Sequence, residues 1–309
     1  MTGFPRLAEQ ERLARLEPPR GPVSMVLDTD TYNEIDDQFA LVYALLSSNL
    51  RVEAVYAAPF HNARSTGPGD GMEKSYEEIL RILDRLGYGS PGLVWRGSAQ
   101  YLPSITEPVE SEAANDLIAK AMMTRRGPLY VVAIGAITNV ASALLMEPEI
   151  ARHIVVVWLG GQPYYWPTAR EFNLQKDVPA AQVVFNSGVP LVHIPAKNVS
   201  EHLRTTLPEL QVYLEGRGAI GEYLLQIFRE YHEDQFAYSK VIWDISGVAY
   251  LNNPDWVPTQ ITPAPILWDD ITWGGEDPTR HMVRVAYDVN RDAIFGDLFR
   301  KIAAHAKRE

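Results

Sequence analysis

The stretch VLDTDTYNEIDDQFAL, residues 26–41, joins an apolar run to a helical pattern and sets five carboxylates between them: Asp28, Asp30, Glu34, Asp36 and Asp37. SMVLD (24–28) has no alternating polar face and reads as a buried strand. Residues 35–48 place Ile35, Phe39, Val42 and Leu46 on one helical face. A strand that passes straight into a helix opens a βαβ unit, and the same alternation runs on along the chain. VEAVYAA (52–58) is strand-like, and MEKSYEEILRILDRLG (72–87) is an amphipathic helix closed by Gly87. GLVW (92–95), a helix over 111–125, LYVVAIG (129–135) and a helix over 137–146 follow. HIVVVWLGG (153–161), a helix over 178–187 and VPLVHIP (189–195) complete the regular part.

Strands that are apolar throughout are expected where helices cover both faces of a parallel sheet. The pattern predicts an α/β fold, doubly wound about a mostly parallel open sheet, with added helices. Residues 205–250 read as largely helical, HMVRVAYDV (281–289) as a late strand and 290–306 as a final helix. No linker or repeat interrupts the alternation, so 1–309 is expected to form one domain. Residues 1–22 are its N-terminal extension, with a charged helix at about 7–17 and a Pro-rich break. In such sheets ligands bind beyond the carboxyl ends of the strands, which is where the acidic stretch lies.

The formal net charge of −11 argues against a nucleic-acid partner, which needs a basic stripe. The chain has no cysteine, which removes disulfides, thiolate zinc sites and cysteine nucleophiles together. No run approaches the roughly 18 apolar residues of a membrane span, and the N-terminus carries no signal-type apolar core. A cytoplasmic location is the expectation.

Helix capping and the helix dipole account for Asp36 and Asp37 at the start of a helix. They do not account for Asp28 and Asp30, which leave the end of an apolar strand toward the same crevice. Like charges this close repel, or raise one another's pKa, unless a cation sits among them. A set of carboxylate oxygens selects a hard cation, calcium or magnesium. An EF-hand loop would need Asp or Asn at 32 and Glu at 39, where the chain has Tyr32 and Phe39. An Asp-x-Asp phosphatase signature fits LDTDTYN in part, but leaves the Asp36–Asp37 pair without a use.

Asp28-Thr29-Asp30 after the first strand, then Asp36-Asp37-Gln38-Phe39-Ala40 opening a helix, resembles the nucleoside hydrolases, the inosine-uridine preferring N-ribohydrolases. Three further segments match in order. AIGAITNVASAL (133–144) is similar to the family's Gly-x-Leu-Thr-Asn segment, with Thr138. WLGG…REFNLQKDVPAAQVVF (158–185) is similar to its Gly-Gly…Glu-Phe-Asn…Asp segment, with Glu171, Asn173 and Asp177. VIWDISGVAYL (241–251) resembles its late helix bearing a final Asp, here Asp244.

The resemblance implies calcium-dependent hydrolysis of the N-glycosidic bond of ribonucleosides. It implies one calcium ion held by Asp30, Asp37, Asp244 and the Thr138 carbonyl, with Asp28 a further ligand or its neighbour. Asp30 would also be the general base. Asp36, Asn62, Glu171 and Asn173 would bind the ribose hydroxyls. Carboxylates around an oxocarbenium-like ribosyl cation suit the cleavage of a glycosidic bond. Relatives of this kind are commonly dimers or tetramers, so a homo-oligomer is expected.

The chain departs from the family's pattern in places. TYNEI makes the acidic motif two residues longer than usual, Leu159 stands for a Met and Tyr165 for an Asn. Trp243 precedes the final Asp where many members have a His, as in a purine-specific branch that stacks a Trp on the base. That favours purine nucleosides, with PYYWP (163–167) as a further source of stacking. The absence of that His equally fits an altered descendant, a ribosyl-ligand binding protein that keeps the calcium site. His61 is the histidine nearest the crevice in this reading.

Overall fold

The computed structural model describes residues 3–308. The strands are β1 (Val23–Thr29), β2 (Leu50–Ala57), β3 (Val94–Arg96), β4 (Leu129–Ala133), β5 (Ile154–Leu159) and β6 (Leu191–Ile194). They are followed by β7 (Arg204–Thr205), β8 (Lys240–Val241), β9 (Thr259–Pro263) and β10 (Met282–Ala286). Eight of them form one sheet in the order β3-β2-β1-β4-β5-β6-β10-β9, with only the β10–β9 pair antiparallel. β7 and β8 make a separate antiparallel pair.

The helices are α1 (Glu9–Leu16), α2 (Asp36–Leu46), α3 (Pro68–Arg85), α4 (Glu112–Ala121), α5 (Thr138–Met146) and α6 (Phe172–Lys176). Then come α7 (Val178–Ser187), α8 (Leu207–Leu214), α9 (Gly218–Tyr231), α10 (Ile245–Asn252) and α11 (Arg291–His305). The double winding is visible residue by residue. Met25, Leu27, Val55, Val132 and Val157 join one buried apolar cluster with α2, α3, α10 and α11. Their strand neighbours Val26, Tyr56, Val131 and Val156 join another with α4, α5 and α7. Successive side chains on a strand point to opposite faces, so strands apolar throughout feed two cores at once.

Several boundaries differ from the sequence reading for local reasons. α3 starts at Pro68, because proline fits the first helical position, where its missing N–H is no loss. α4 stops at Ala121 rather than 125, where Arg125 Nη2 turns back onto the Lys120 carbonyl at 2.6 Å. β9 was not legible: TQITP is polar, ends in proline and takes the exposed antiparallel edge, where such residues are tolerated. α1 docks through Arg12 Nε to the Gly188 carbonyl and through its Leu16 carbonyl, which accepts from Arg284 Nε. Among the described residues no helix is long and apolar enough to cross a membrane.

The strand order reverses between β1 and β4. Their carboxyl ends part there, and the resulting crevice is the ligand position of doubly wound sheets.

Candidate active site

The end of β1 and the start of α2 bring the acidic stretch together in that crevice. Asp28, Asp30 and Asp37 are fully buried, and Asp36 and Asp244 nearly so. Carboxylate oxygens of Asp36, Asp37 and Asp244 all lie within 4.8 Å of one another. Thr29 Oγ1 donates to Asp37 Oδ1 at 2.5 Å, and Asn139 Nδ2 donates to Asp28 Oδ1 at 2.7 Å. Gly135, after β4, leaves room for Asp30: a Cβ there would stand 3.0 Å from the Asp30 Cγ.

Burial pushes every member of the cluster the same way, and repulsion from neighbouring carboxylates adds to it for Asp30, Asp36, Asp37 and Asp244. Burial raises the Asp28 carboxyl to about 7 against the pull of Asn139. Burial, then the neighbouring Asp36, carries Asp37 to about 8. Asp36 reaches about 6 by burial, held back by the Lys240 ammonium. Asp30 is raised well above the usual carboxylate range by burial and then by Asp37. Asp244 is raised in the same way by burial, then by Asp36, Asp37 and Asp30. Lys240 is itself buried. Burial alone would lower its pKa, but Asp36 and Glu34 outweigh that and raise it, and Glu34 is its ion-pair partner.

Above the carboxylates opens a cavity of about 270 Å³, walled by Asn33, Gln162, Glu171, Asn173, Lys197 and Trp243. Trp243 is half-buried, packs against the core and lines the cavity. Glu171 caps α6, accepting from Asn173 N at 3.0 Å and Leu174 N at 3.2 Å, and also takes Gly161 N at 2.8 Å. Asn173 Nδ2 donates to the Ile134 and Leu159 carbonyls, both at 3.0 Å, which leaves its Oδ1 as the free end.

The other residues named from the sequence make the following contacts. Thr138 is the first residue of α5; its hydroxyl donates to Asp177 Oδ2 at 2.7 Å, and its carbonyl lies in the hydrogen-bonding ladder of the helix. From the same segment, Ile134 lines the cavity. Asn62 is taken up by Asn33, as described below, and does not line the cavity. Within PYYWP, Tyr164 is half-buried and stacks on His193 with ring centres 5.2 Å apart, while Tyr165 is exposed and accepts from Asn198 Nδ2. His61 is exposed, 3.4 Å from Ser65 Oγ.

Gln162, Lys197, Lys240 and Asn139 were not singled out from the sequence, whereas Asn33 stood in it as a possible helix cap or, with Glu34, as a residue the longer TYNEI turn could bring toward the ion. Asn139 sits beside Thr138 in the recognised segment and had a signal; Lys240 had none.

The profile of the family described as inosine-uridine preferring nucleoside hydrolase matches residues 25–296. A pyrimidine-specific ribonucleoside hydrolase, RihA of Salmonella paratyphi A, is 30% identical over 239 residues, covering 68% of this chain and 73% of that protein. The solved plant nucleoside hydrolase PpNRh1 superposes with a TM-score of 0.73 at 20% identity, over 92% of this chain and 99% of that one. A purine-preferring ribonucleoside hydrolase from Gardnerella vaginalis gives 0.71 at 21% identity, over 93% and 100%. The strand–helix carboxylates, the double winding and these likenesses agree, and the chain belongs to the inosine-uridine preferring nucleoside hydrolase family.

Proposed function

We propose that this protein is a calcium-dependent ribonucleoside hydrolase that favours purine nucleosides. The observation that carries the reading is the state of the buried oxygens. Asp28 Oδ2, both oxygens of Asp30 and Asp37 Oδ2 have no hydrogen-bond partner among the described residues. Buried carboxylates without partners are costly, and an all-oxygen donor set of this kind fits a hard divalent cation. Asp37 and Asp244, with Asp36 beside them, would hold it together with Asp30 and Asp28 from the end of β1. When bound, the cation supplies Lewis acidity for ordering the sugar diol and acidifying water.

The chain's own residues do the rest. Asp30 takes the proton of the attacking water. Asp36 and the free Oδ1 of Asn173 accept from ribose hydroxyls, and Glu171 closes the sugar end of the cavity. The carboxylate ring stabilises positive charge on the ribosyl group as the bond to the base breaks. Trp243 stacks on the departing base, a preference for larger purine rings. Among the relatives, one is described as pyrimidine-specific and another as purine-preferring, so base choice rests on this chain's own wall.

The test is reducing-sugar release from a panel of purine and pyrimidine ribonucleosides, with and without chelator. Calcium-restored release, greatest on purines, is expected. Bound calcium with no release from any ribonucleoside would sink hydrolysis and leave a ribosyl-ligand binding protein.

A further inference from the structure

The two extra residues between Asp30 and Asp36 are held from both sides. Arg64 Nη1 donates to the carbonyls of Tyr32, at 3.1 Å, and Glu34, at 2.9 Å. Asn62 Nδ2 donates to the carbonyl between them, that of Asn33, at 3.1 Å, and to Asn33 Oδ1 at 3.0 Å. The Arg64 guanidinium also lies over the Tyr32 ring, 5.0 Å from its centre. On the inner side, Asn33 N closes a turn onto the Asp30 carbonyl at 2.8 Å, and Lys240 pairs with Glu34. Three consecutive carbonyls are fixed by two side chains, which is not how slack in a surface loop is held.

The orientation of both amides follows from one unambiguous donor. The Arg64 backbone N–H stands 2.8 Å from Asn62 Oδ1. An N–H faces an oxygen, so Asn62 must turn its nitrogen toward Asn33. The Asn33 atom that receives it is then Oδ1, and the Asn33 nitrogen points the other way. There it lies close to Asp30 without a hydrogen bond to either carboxylate oxygen. Asn33 lines the cavity, whereas Asn62 has committed its nitrogen and its oxygen behind it.

We propose that Asn33, carried into the cavity wall by the insertion, is the amide that donates to a ribosyl hydroxyl beside Asp30, with Asn62 and Arg64 as positioning residues acting through it. This rests on the ribonucleoside reading above and moves the amide expected at Asn62 to a residue supplied by the insertion.

The experiment is steady-state kinetics on a ribonucleoside and its 2′-deoxy and 3′-deoxy forms, using the wild type, Asn33→Asp, Asn33→Ala, Asn62→Asp and the Asn33→Asp/Asn62→Asp double variant. Asn33→Asp keeps the shape and the acceptor for Asn62 but offers no donor. Asn62→Asp keeps the acceptor for Arg64 and loses the donor to Asn33. Asn33→Asp and Asn33→Ala are expected to raise KM about tenfold or more on the ribonucleoside. The rise vanishes on the deoxy form that lacks the contacted hydroxyl, and the calcium-induced rise in melting temperature persists. Asn62→Asp gives a smaller rise, and the double variant is no worse than Asn33→Asp alone.

A KM within twofold of wild type for both Asn33 variants overturns the proposal. So does an equal loss on all three substrates, or effects of the two sites that multiply. A wild type that binds these nucleosides without hydrolysing them overturns the hydrolase reading instead, and the same comparisons are then read from calorimetric Kd values. A wild type that neither binds nor hydrolyses them overturns both.

Discussion

The carboxylate of Asp28 is held by Asn139, whose Nδ2 stands 2.7 Å from Oδ1. The same side chain accepts the Ser98 backbone N–H at 2.8 Å, so one residue of α5 ties the end of β1 to the segment after β3. Replacing it with leucine leaves a buried carboxylate and a buried N–H without partners. Asn139→Leu is expected to lower unfolding free energy by about 2–4 kcal/mol in urea titrations. A loss under 1 kcal/mol would mean the junction relaxes around the change.

Adding or removing the proposed calcium should act on stability with a defined sign. The folded-state pKa values of Asp36, Asp28 and Asp37, at about 6, 7 and 8, lie above their ordinary value. Without a cation the folded state therefore binds more protons than the unfolded one. Stability from these groups is fully present below about pH 4 and drains away as pH rises through 6 to 8. A cation takes over from those protons. The calcium-induced rise in melting temperature should thus grow from pH 5 to pH 8, reaching about 5–10 °C at saturating metal. A rise that is flat or shrinks with pH contradicts cation binding at this cluster.

Gly135 tests how closely Asp30 must be placed. An added Cβ would stand 3.0 Å from Asp30 Cγ and 3.2 Å from both Cβ and Oδ1. The Asp30 oxygens are buried, so the carboxylate has little room to yield. Gly135→Ala is expected to reduce kcat about 10–100-fold and to weaken calcium, while far-ultraviolet dichroism stays native. Full activity would show that Asp30 need not occupy its present position.

The parts of the site that sequence reading reached are side chains whose chemistry has no structural excuse. Asp28 and Asp30 leave an apolar strand with nothing apolar to gain, and Asp244 interrupts a buried helix start. Apolar wall residues carry no such mark: Ile134 lines the cavity, whereas the motif pointed to Thr138, whose hydroxyl donates to Asp177. Lys240 is a lone lysine before an apolar run, and its partner Glu34 lies 206 residues away, beyond the reach of any local pattern. The sheet was legible where strands are buried on both faces and failed at β9, which has one exposed edge and no apolar period.

Trp243 carries the proposed preference for purines. It packs against the core, lines the cavity and directly precedes Asp244. Stacking of a base on an aromatic side chain is worth about 1–3 kcal/mol, which is roughly 10–100-fold in binding. A fused purine presents more surface to the indole than a pyrimidine does. Trp243→Ala should therefore lower kcat/KM on inosine or adenosine about 10–100-fold and on uridine by much less. Trp243→Phe should recover part of the loss, because a smaller ring still offers a face. The calcium-induced rise in melting temperature should stay within about 1 °C of wild type, which separates loss of stacking from loss of the cation site. Equal losses on purine and pyrimidine nucleosides would instead make Trp243 a packing residue and leave base preference to the rest of the wall.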